Sequence, residues 1–401
     1  MKQWLTIVGM GEEGFAGLSG AAKSALENAE IIVGSERLFA LIPKLSAERH
    51  LWPQPFSAFY KEILKLKDQR TVLLATGDPM NFGVARKLFE LLPREEIVVM
   101  PHLSAFSLAA AHMGWSIPDC DCFTIHGRPA ATLEAFIQPE AMLLILTQDE
   151  TSIAEVCRRL IARGFENSEV TVLENLGGTL QRISHFAAHD IPNMSWSPLN
   201  TLAVRCIASQ SAKIYSRAGG LPDDAFQHDG QLTKREVRVA TLSALAPAPD
   251  QLLWDVGAGC GSIAIEWMRS TRGCEAIAIE QNVERCAMIA HNADQLGTPR
   301  LRCIRGGAPK ALVDINAPHA IFIGGGIGDA GVFEACWQAL RSGGRLVANV
   351  VTVEGEMHLF DLQEKHGGEL LRFNISRLEP VGKFRALKPK MPVTQWRVIK
   401  P

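Results

Sequence analysis

The sequence predicts an α/β protein of two domains, the second a doubly wound parallel sheet. Three observations carry this. At 401 residues the chain exceeds what one ordinary core fills. Continuous Val/Ile/Leu runs alternate with helical patterns along its whole length, as in sheets covered on both faces. After Ala208 the pattern lapses into "SQSAKIYSRAGGLPDDAFQHDGQ", rich in Ser, Gly, Asp and Pro. Residues 1–208 and 226–401 are therefore the expected domains, with 209–225 as linker.

In the first half, "LTIVG", "TVLLATGD", "EIVVM", "MLLILT", "EVTVLENL" and "TLAVRCIA" are expected to be parallel strands. The second domain is expected to open with a helix at Thr233, which stands in capping-box spacing with Glu236. Strands follow at "LLWDVG", "EAIAIE", "LRCIRG", "AIFIGGG", "GRLVANVV" and "WRVIK", with helices between the first five.

Composition narrows the function. Hydrophobic residues make up 47% and charged residues 21%, the balance of a globular chain. A net charge of -2 gives no general reason to bind a nucleic-acid polyanion, so small-molecule chemistry is favoured. The nine cysteines are scattered, and the Cys120/Cys122 pair lacks metal-site spacing, so no metal is expected and the thiols should be reduced. The start meets glycine too soon for a signal peptide, and no apolar run reaches membrane-spanning length; a cytoplasmic protein without membrane contact is expected.

The second half carries the sharper motif. In "WDVGAGCGSIAIE", Asp255 ends an apolar run and Gly257, Ala258, Gly259, Cys260 and Gly261 form a turn into a helix, where a backbone can approach a ligand only if side chains are small. Glu280 ends the next strand about twenty residues on, the usual place for a carboxylate that accepts from ribose hydroxyls. A dinucleotide site would want a third glycine where Ser262 stands. The pattern suits a sulfonium nucleoside, S-adenosylmethionine, better than NAD. "GGAP", with Gly307 and Ala308, can lie along an adenine edge. The glycines of Gly324–Gly328 either leave room for a broad, flat acceptor or form a plain turn.

In the first half, "ATGDPMNFG" places Gly77, Asp78 and Pro79 at a strand end, by themselves ordinary turn residues. Taken with "IVGMGEEGFAGLSGAA", "HLSAFSLAAAHMGW", "TIHGRP" and "LLILTQD", the order resembles the tetrapyrrole methylase family. Where that family usually reads Gly-x-Gly-Pro-Gly, Gly9 and Gly11 are followed here by Glu12, Glu13 and Gly14, as in the branch that methylates late corrin precursors. The segment from "HDGQLTKREVRVATLSAL" to "VANVVTVEGE" is similar to the C15-methylating, decarboxylating partner of that branch.

The resemblance implies a two-lobed tetrapyrrole methylase (class III methyltransferase) fold followed by a Rossmann-like class I methyltransferase domain. It further implies methylation of precorrin-6B at C5 and C15, with loss of the ring-C acetate carboxyl, in cobalamin biosynthesis, by a homo-oligomer. Donor contacts carry over to Thr233, Gly257 through Gly261, Glu280 and Ala308, and in the first domain to Gly77, Asp78, Ser104 and Thr147. Asp78 has a second reading as a turn or helix cap. The acceptor's carboxylates call for cations. Lys234, Arg235 and Arg238 are one cluster, and Lys383, Arg385, Lys388 and Lys390, with no acid among them, another. His102, His126 and His228 are conceivable proton donors. His126 and Arg235 are the preferred catalytic candidates. RNA methylation and a non-catalytic nucleotide-binding scaffold are the competing readings.

Overall fold

The structure is a computed structural model that describes residues 3–53 and 58–401. It divides into two compact units, residues 1–130 with 139–213 and residues 131–138 with 214–401. An eight-residue piece of the first half thus folds with the second unit, which no signal in the sequence had indicated.

The first unit holds two sheets. Strands β1 (Leu5–Met10), β2 (Ile31–Gly34), β3 (Glu48–Leu51), β4 (Thr71–Thr76) and β5 (Ile97–Met100) are all parallel, in the order β3-β2-β4-β1-β5. Alternate residues of β1 feed separate cores on its two faces, Leu5 and Ile7 packing with Phe59 and Leu88, Val8 and Met10 with Leu26 and Leu38.

The second sheet, β6 (Cys120–Thr124), β7 (Met142–Leu146), β8 (Glu169–Glu174), β9 (Arg182–Ala187) and β10 (Asn200–Arg205), runs β6-β7-β10-β8-β9 and corrects the expectation of parallel strands. Only β6 and β7 are parallel; β10 is antiparallel to β7 and β8, and β8 to β9. Apolar runs report burial on both faces but not direction. Direction follows from the connection, and residues 175–181 between β8 and β9 are too few for a crossover.

In the second unit, β11 (Leu252–Val256), β12 (Glu275–Glu280), β13 (Arg302–Arg305), β14 (Ala320–Ile323), β15 (Arg345–Val350), β16 (Glu369–Phe373) and β19 (Val393–Ile399) form a seven-stranded sheet ordered β13-β12-β11-β14-β15-β19-β16. The first five are parallel, while β19 is antiparallel to β15 and β16 to β19. Strands β17 (Ser376–Val381) and β18 (Phe384–Pro389) make a separate hairpin, which the sequence reading missed. Strand order reverses between β11 and β14, so the crevice at their carboxyl ends is the place for a ligand. Of the helices expected between the parallel strands, the one between β13 and β14 is absent, replaced by a 3₁₀ turn at Lys310–Leu312. Pro309 and Pro318 leave too little uninterrupted chain for an α-helix there.

The opening helix of this unit spans Arg235–Leu245, not from Thr233, and its N-cap Lys234 makes no side-chain cap bond. Local capping loses to tertiary partners. The Arg235 amide donates to Asp223 Oδ1 at 3.0 Å, Glu236 pairs with Arg377 at 2.8 Å, and the Thr233 carbonyl accepts from Arg238 Nη1 at 2.6 Å. Residues 209–225 are no free tether, because the Gly220 and Leu221 amides both donate to the buried Glu266 carboxylate. No helix among the described residues is long and apolar enough to cross a membrane.

Candidate active site

In the second unit the carboxyl ends of β11 to β15 open into a cavity of about 870 Å³. One end is glycine-lined. Gly257, Gly259 and Gly261 have φ of 71°, 59° and 80°, a left-handed backbone that side chains resist. Gly257 and Gly259 line the cavity, as do Ala258, Glu280, Gly307, Ala308 and Thr233. Glu280 is 4% exposed, accepting from the Gly259 amide at 2.8 Å and the Asn282 amide at 2.9 Å, one bond on each carboxylate oxygen. Each oxygen keeps a lone pair for a hydroxyl. This end of the cavity is therefore built of bare backbone and one oriented carboxylate.

Three residues assigned to the donor do not line the cavity. Gly261 caps the helix Ser262–Ser270, with a β-carbon at its position falling 3.2 Å from Ile289. Cys260 packs with Leu221, Phe226 and Leu232, and burial pushes its thiol up to about 11. Asp255 is fully buried beneath the turn, its Oδ2 accepting from the Ala264 amide at 3.0 Å while Oδ1 has no partner. These three shape the turn rather than face the ligand.

Burial raises Asp255 to about 7, opposed by the Ala264 amide and reinforced by the charge of Glu280. The sign for stability follows. Below the ordinary value of 3.8 the group is protonated both folded and unfolded, and its full contribution is present. As pH rises towards 7 the unfolded chain ionises while the folded one resists, a loss of at most about 4 kcal/mol. Asp255→Asn is expected to melt with the parent near pH 4 and above it at pH 8; a melting difference independent of pH would refute this.

The cationic candidates redistribute. Arg235 is exposed and does not line the cavity, because Asp223 holds its amide at the helix start. Arg238 is wholly buried, paired with Glu266 at 2.6 Å and Asp223 at 3.1 Å, and so serves structure rather than substrate. Of the tail run only Lys390 lines the cavity, while Lys383, Arg385 and Lys388 stay exposed on or beside the hairpin. Glu379, across the hairpin, pairs with Lys388 at 3.5 Å and also with Lys390. Lys234 does line the cavity. Sequence reasoning missed Arg377, brought to the cavity by β17, and Asn349 at the end of β15. The polar residue interrupting the apolar run "GRLVANVV" was the one available signal for Asn349.

In the first unit Gly77 adopts φ 59°, and a β-carbon there would lie 3.5 Å from the Ser104 α-carbon, so these two candidates are neighbours. Ser104 caps its helix (Ala105–Met113), accepting from the Ser107 amide at 3.1 Å. The Asp78 carboxylate accepts from the Met80 amide at 2.9 Å, as its turn reading expects. Thr147 donates to the Asn200 carbonyl at 2.7 Å, so its hydroxyl is already committed. His126 is exposed just past β6, with its amide donating to Thr124 Oγ1 and Asp149 near enough to feel its charge. His102 Nδ1 is buried without a partner, and His228 Nδ1 accepts from the Gly230 amide.

Comparison with known proteins agrees with both halves. Residues 4–191 match the family model described as Tetrapyrrole (Corrin/Porphyrin) Methylases, and residues 224–400 that of the Precorrin methyltransferase domain. A precorrin-6Y C(5,15)-methyltransferase (decarboxylating) of Sinorhizobium sp is 43% identical over 397 residues, covering 99% of this chain and 96% of that one. The chain belongs to the precorrin-6Y C(5,15)-methyltransferase (decarboxylating) family. Its Mycobacterium tuberculosis member is 38% identical, covering 99% of this chain and 100% of its own. The crystallised C-terminal domain of the Rhodobacter capsulatus member is 44% identical, with a TM-score of 0.44, and covers 46% of this chain and 100% of that one. As a family member the chain is a C-methyltransferase of two unlike domains.

Proposed function

We propose that this enzyme uses S-adenosylmethionine to methylate precorrin-6B at C5 and C15 and to remove the ring-C acetate carboxyl, giving precorrin-8 in cobalamin biosynthesis. The observation that carries this reading is the single cavity whose glycine-lined end suits a nucleoside and whose other end, at Asn349, Arg377 and Lys390, suits a polar acceptor. Donor and acceptor would share one cavity. The same reading assigns C5 methylation to residues 1–208 and C15 methylation with decarboxylation to residues 226–401.

S-adenosylmethionine supplies an electrophilic methyl group. Glu280 would accept from its ribose hydroxyls, while the bare backbone at Gly257 and Gly259 permits close approach. In the first unit the corresponding donor contacts are proposed at Gly77, Asp78, Ser104 and Thr147, the last two through their remaining lone pairs. A reduced macrocycle has enamine-like carbons that are already nucleophilic, so holding donor and acceptor in line contributes more than a strong base does. Arg377 and Lys390 line the acceptor end, where they can exchange Glu236 and Glu379 for carboxylates of the macrocycle.

All nine cysteines are free thiols, in keeping with a reducing cytoplasm. Homo-oligomer assembly is part of the same reading, and the hairpin leaves Phe384 and Leu387 exposed at 80% and 68%.

Mass spectrometry of a reduced precorrin-6 macrocycle incubated with the full chain and S-adenosylmethionine tests the reading. Gain of two methyl groups with loss of one carboxyl supports it; an unchanged macrocycle, with donor binding verified, moves the substrate to another class. His126 is retained as the proton-handling candidate of the first unit. His126→Ala is expected to slow C5 methylation roughly 100-fold without weakening donor binding, and unaltered turnover would remove the role.

A further inference from the structure

Behind the acceptor end of the cavity lies a buried polar network. Three side chains from distant parts of the chain meet there: Thr241 on the helix Arg235–Leu245, Asn349 on β15 and Gln395 on β19. Asn349 Nδ2 donates to Thr241 Oγ1 at 2.9 Å. Gln395 Nε2 donates to Asn349 Oδ1 at 2.9 Å and to Thr241 Oγ1 at 3.1 Å. Thr241 in turn donates to the Val237 carbonyl at 2.8 Å. Thr241 and Gln395 are 0% and 1% exposed, whereas Asn349 reaches the cavity wall.

Burying two polar side chains beside an apolar sheet is unfavourable unless every group is satisfied, and apolar residues would fill the same space without that demand. What the network gains is a fixed orientation for the Asn349 carboxamide. Both of its polar atoms are engaged, so it cannot flip without breaking two bonds. Each atom still has one bond to give, a second N–H on Nδ2 and a second lone pair on Oδ1.

Its place along the sheet says which ligand it meets. Gly257, Glu280 and Gly307 stand at the carboxyl ends of β11, β12 and β13, on one side of the order β13-β12-β11-β14-β15. Asn349 is two strands past the switch point, on β15, where Val351, Ile375 and Val393 also line the cavity. We propose that Asn349 contacts the acceptor, its free amide N–H holding the acetate carboxylate that is lost, with Thr241 and Gln395 as positioning residues. This rests on the decarboxylating function proposed above.

The chemistry favours a neutral donor at that point. The bond between the acetate methylene and its carboxyl carbon breaks, carbon dioxide leaves, the electron pair passes into the conjugated macrocycle, and a proton from water converts the methylene to methyl. Negative charge therefore leaves the carboxylate as the bond breaks. A cation fixed on it would stabilise the starting state and oppose the step, whereas one amide orients the group with a weaker hold. Arg377 and Lys390 are already paired with Glu236 and Glu379, and suit carboxylates that are retained.

The test uses the full chain, with the donor affinity of the second unit as its internal control. Asn349→Ala is expected to slow carbon dioxide release about 100-fold while donor affinity keeps its parental value. Asn349→Asp keeps the volume and the acceptor for Gln395, and should raise KM for the macrocycle through repulsion of like charges. Gln395→Leu should lower kcat for carbon dioxide release about 10-fold with KM unchanged, the mark of misorientation rather than lost binding. Parental carbon dioxide release by Asn349→Ala, or a parallel fall in donor affinity, overturns the assignment. An inactive parent enzyme overturns the underlying function, and the two failures are thereby distinguishable.

Discussion

Arg238→Met is expected to lower the melting temperature of the second unit by about 10 °C, the effect of losing roughly 3–5 kcal/mol in a unit of this size. The side chain is wholly buried, and its guanidinium reaches Glu266 at 2.6 Å, Asp223 at 3.1 Å and the Thr233 carbonyl at 2.6 Å. It also donates to the Leu221 carbonyl and lies 4.9 Å from the centre of the Phe226 ring. Methionine fills the volume but leaves Glu266, itself 1% exposed on its side chain, as a buried anion with only the Gly220 and Leu221 amides for partners. The uncompensated charge, more than the lost bonds, sets the magnitude. Because Arg238 also anchors Thr233 at the cavity, donor affinity should fall at temperatures where the unit is still folded. Differential scanning calorimetry of parent and variant decides the matter, and a shift under 2 °C would show that the pair is worth no more than one on the surface.

Glu280→Ala is expected to act on donor binding in the second unit. A hydrogen bond to a charged acceptor contributes about 1.5–3 kcal/mol, so loss of the carboxylate is expected to weaken donor binding in the second unit by 10- to 100-fold. The change also strips the Gly259 and Asn282 amides of their acceptor, loosening the turn that lines the donor end. Glu280→Gln keeps an acceptor oxygen and should fall between the two. Supplied with precorrin-6B at limiting donor, the variant is expected to return a macrocycle that lacks the C15 methyl group and keeps its carboxyl. Product masses at limiting and saturating donor give the reading. Two methyl groups added at parental rate under limiting donor would exclude Glu280 from the donor site.

Much of this site was legible in the chain because it is local. A tight turn between a strand and a helix needs glycine at left-handed positions, so Gly257 and Gly259 announce it, and the strand ending at Glu280 fixes an acid beside it. Thr233, Gly257, Ala258, Gly259, Glu280, Gly307 and Ala308, grouped on that basis, all line one cavity. Its opposite end was not legible. Arg377 reaches the cavity on a hairpin without the long apolar run that marks a core strand, and Asn349 looks like any polar residue at a strand end. Arg235 and Arg238 looked alike in sequence, three apart on one helix, yet one is exposed and the other wholly buried.

By itself the sequence determined the α/β class, the five parallel strands of the second domain and the glycine turn after the first of them, because each depends on hydrophobic period or backbone conformation within some twenty residues. Only the tertiary structure decided the direction of β8 to β10, the start of the helix at Arg235, the folding of residues 131–138 with the second unit, and the identity of the side chains at the end of the cavity opposite the glycine turn. The physical reason is common to all four. Each depends on a partner far along the chain, Asp223 for the helix start and Gln395 for the orientation of Asn349, and a local pattern carries no record of which distant group will arrive.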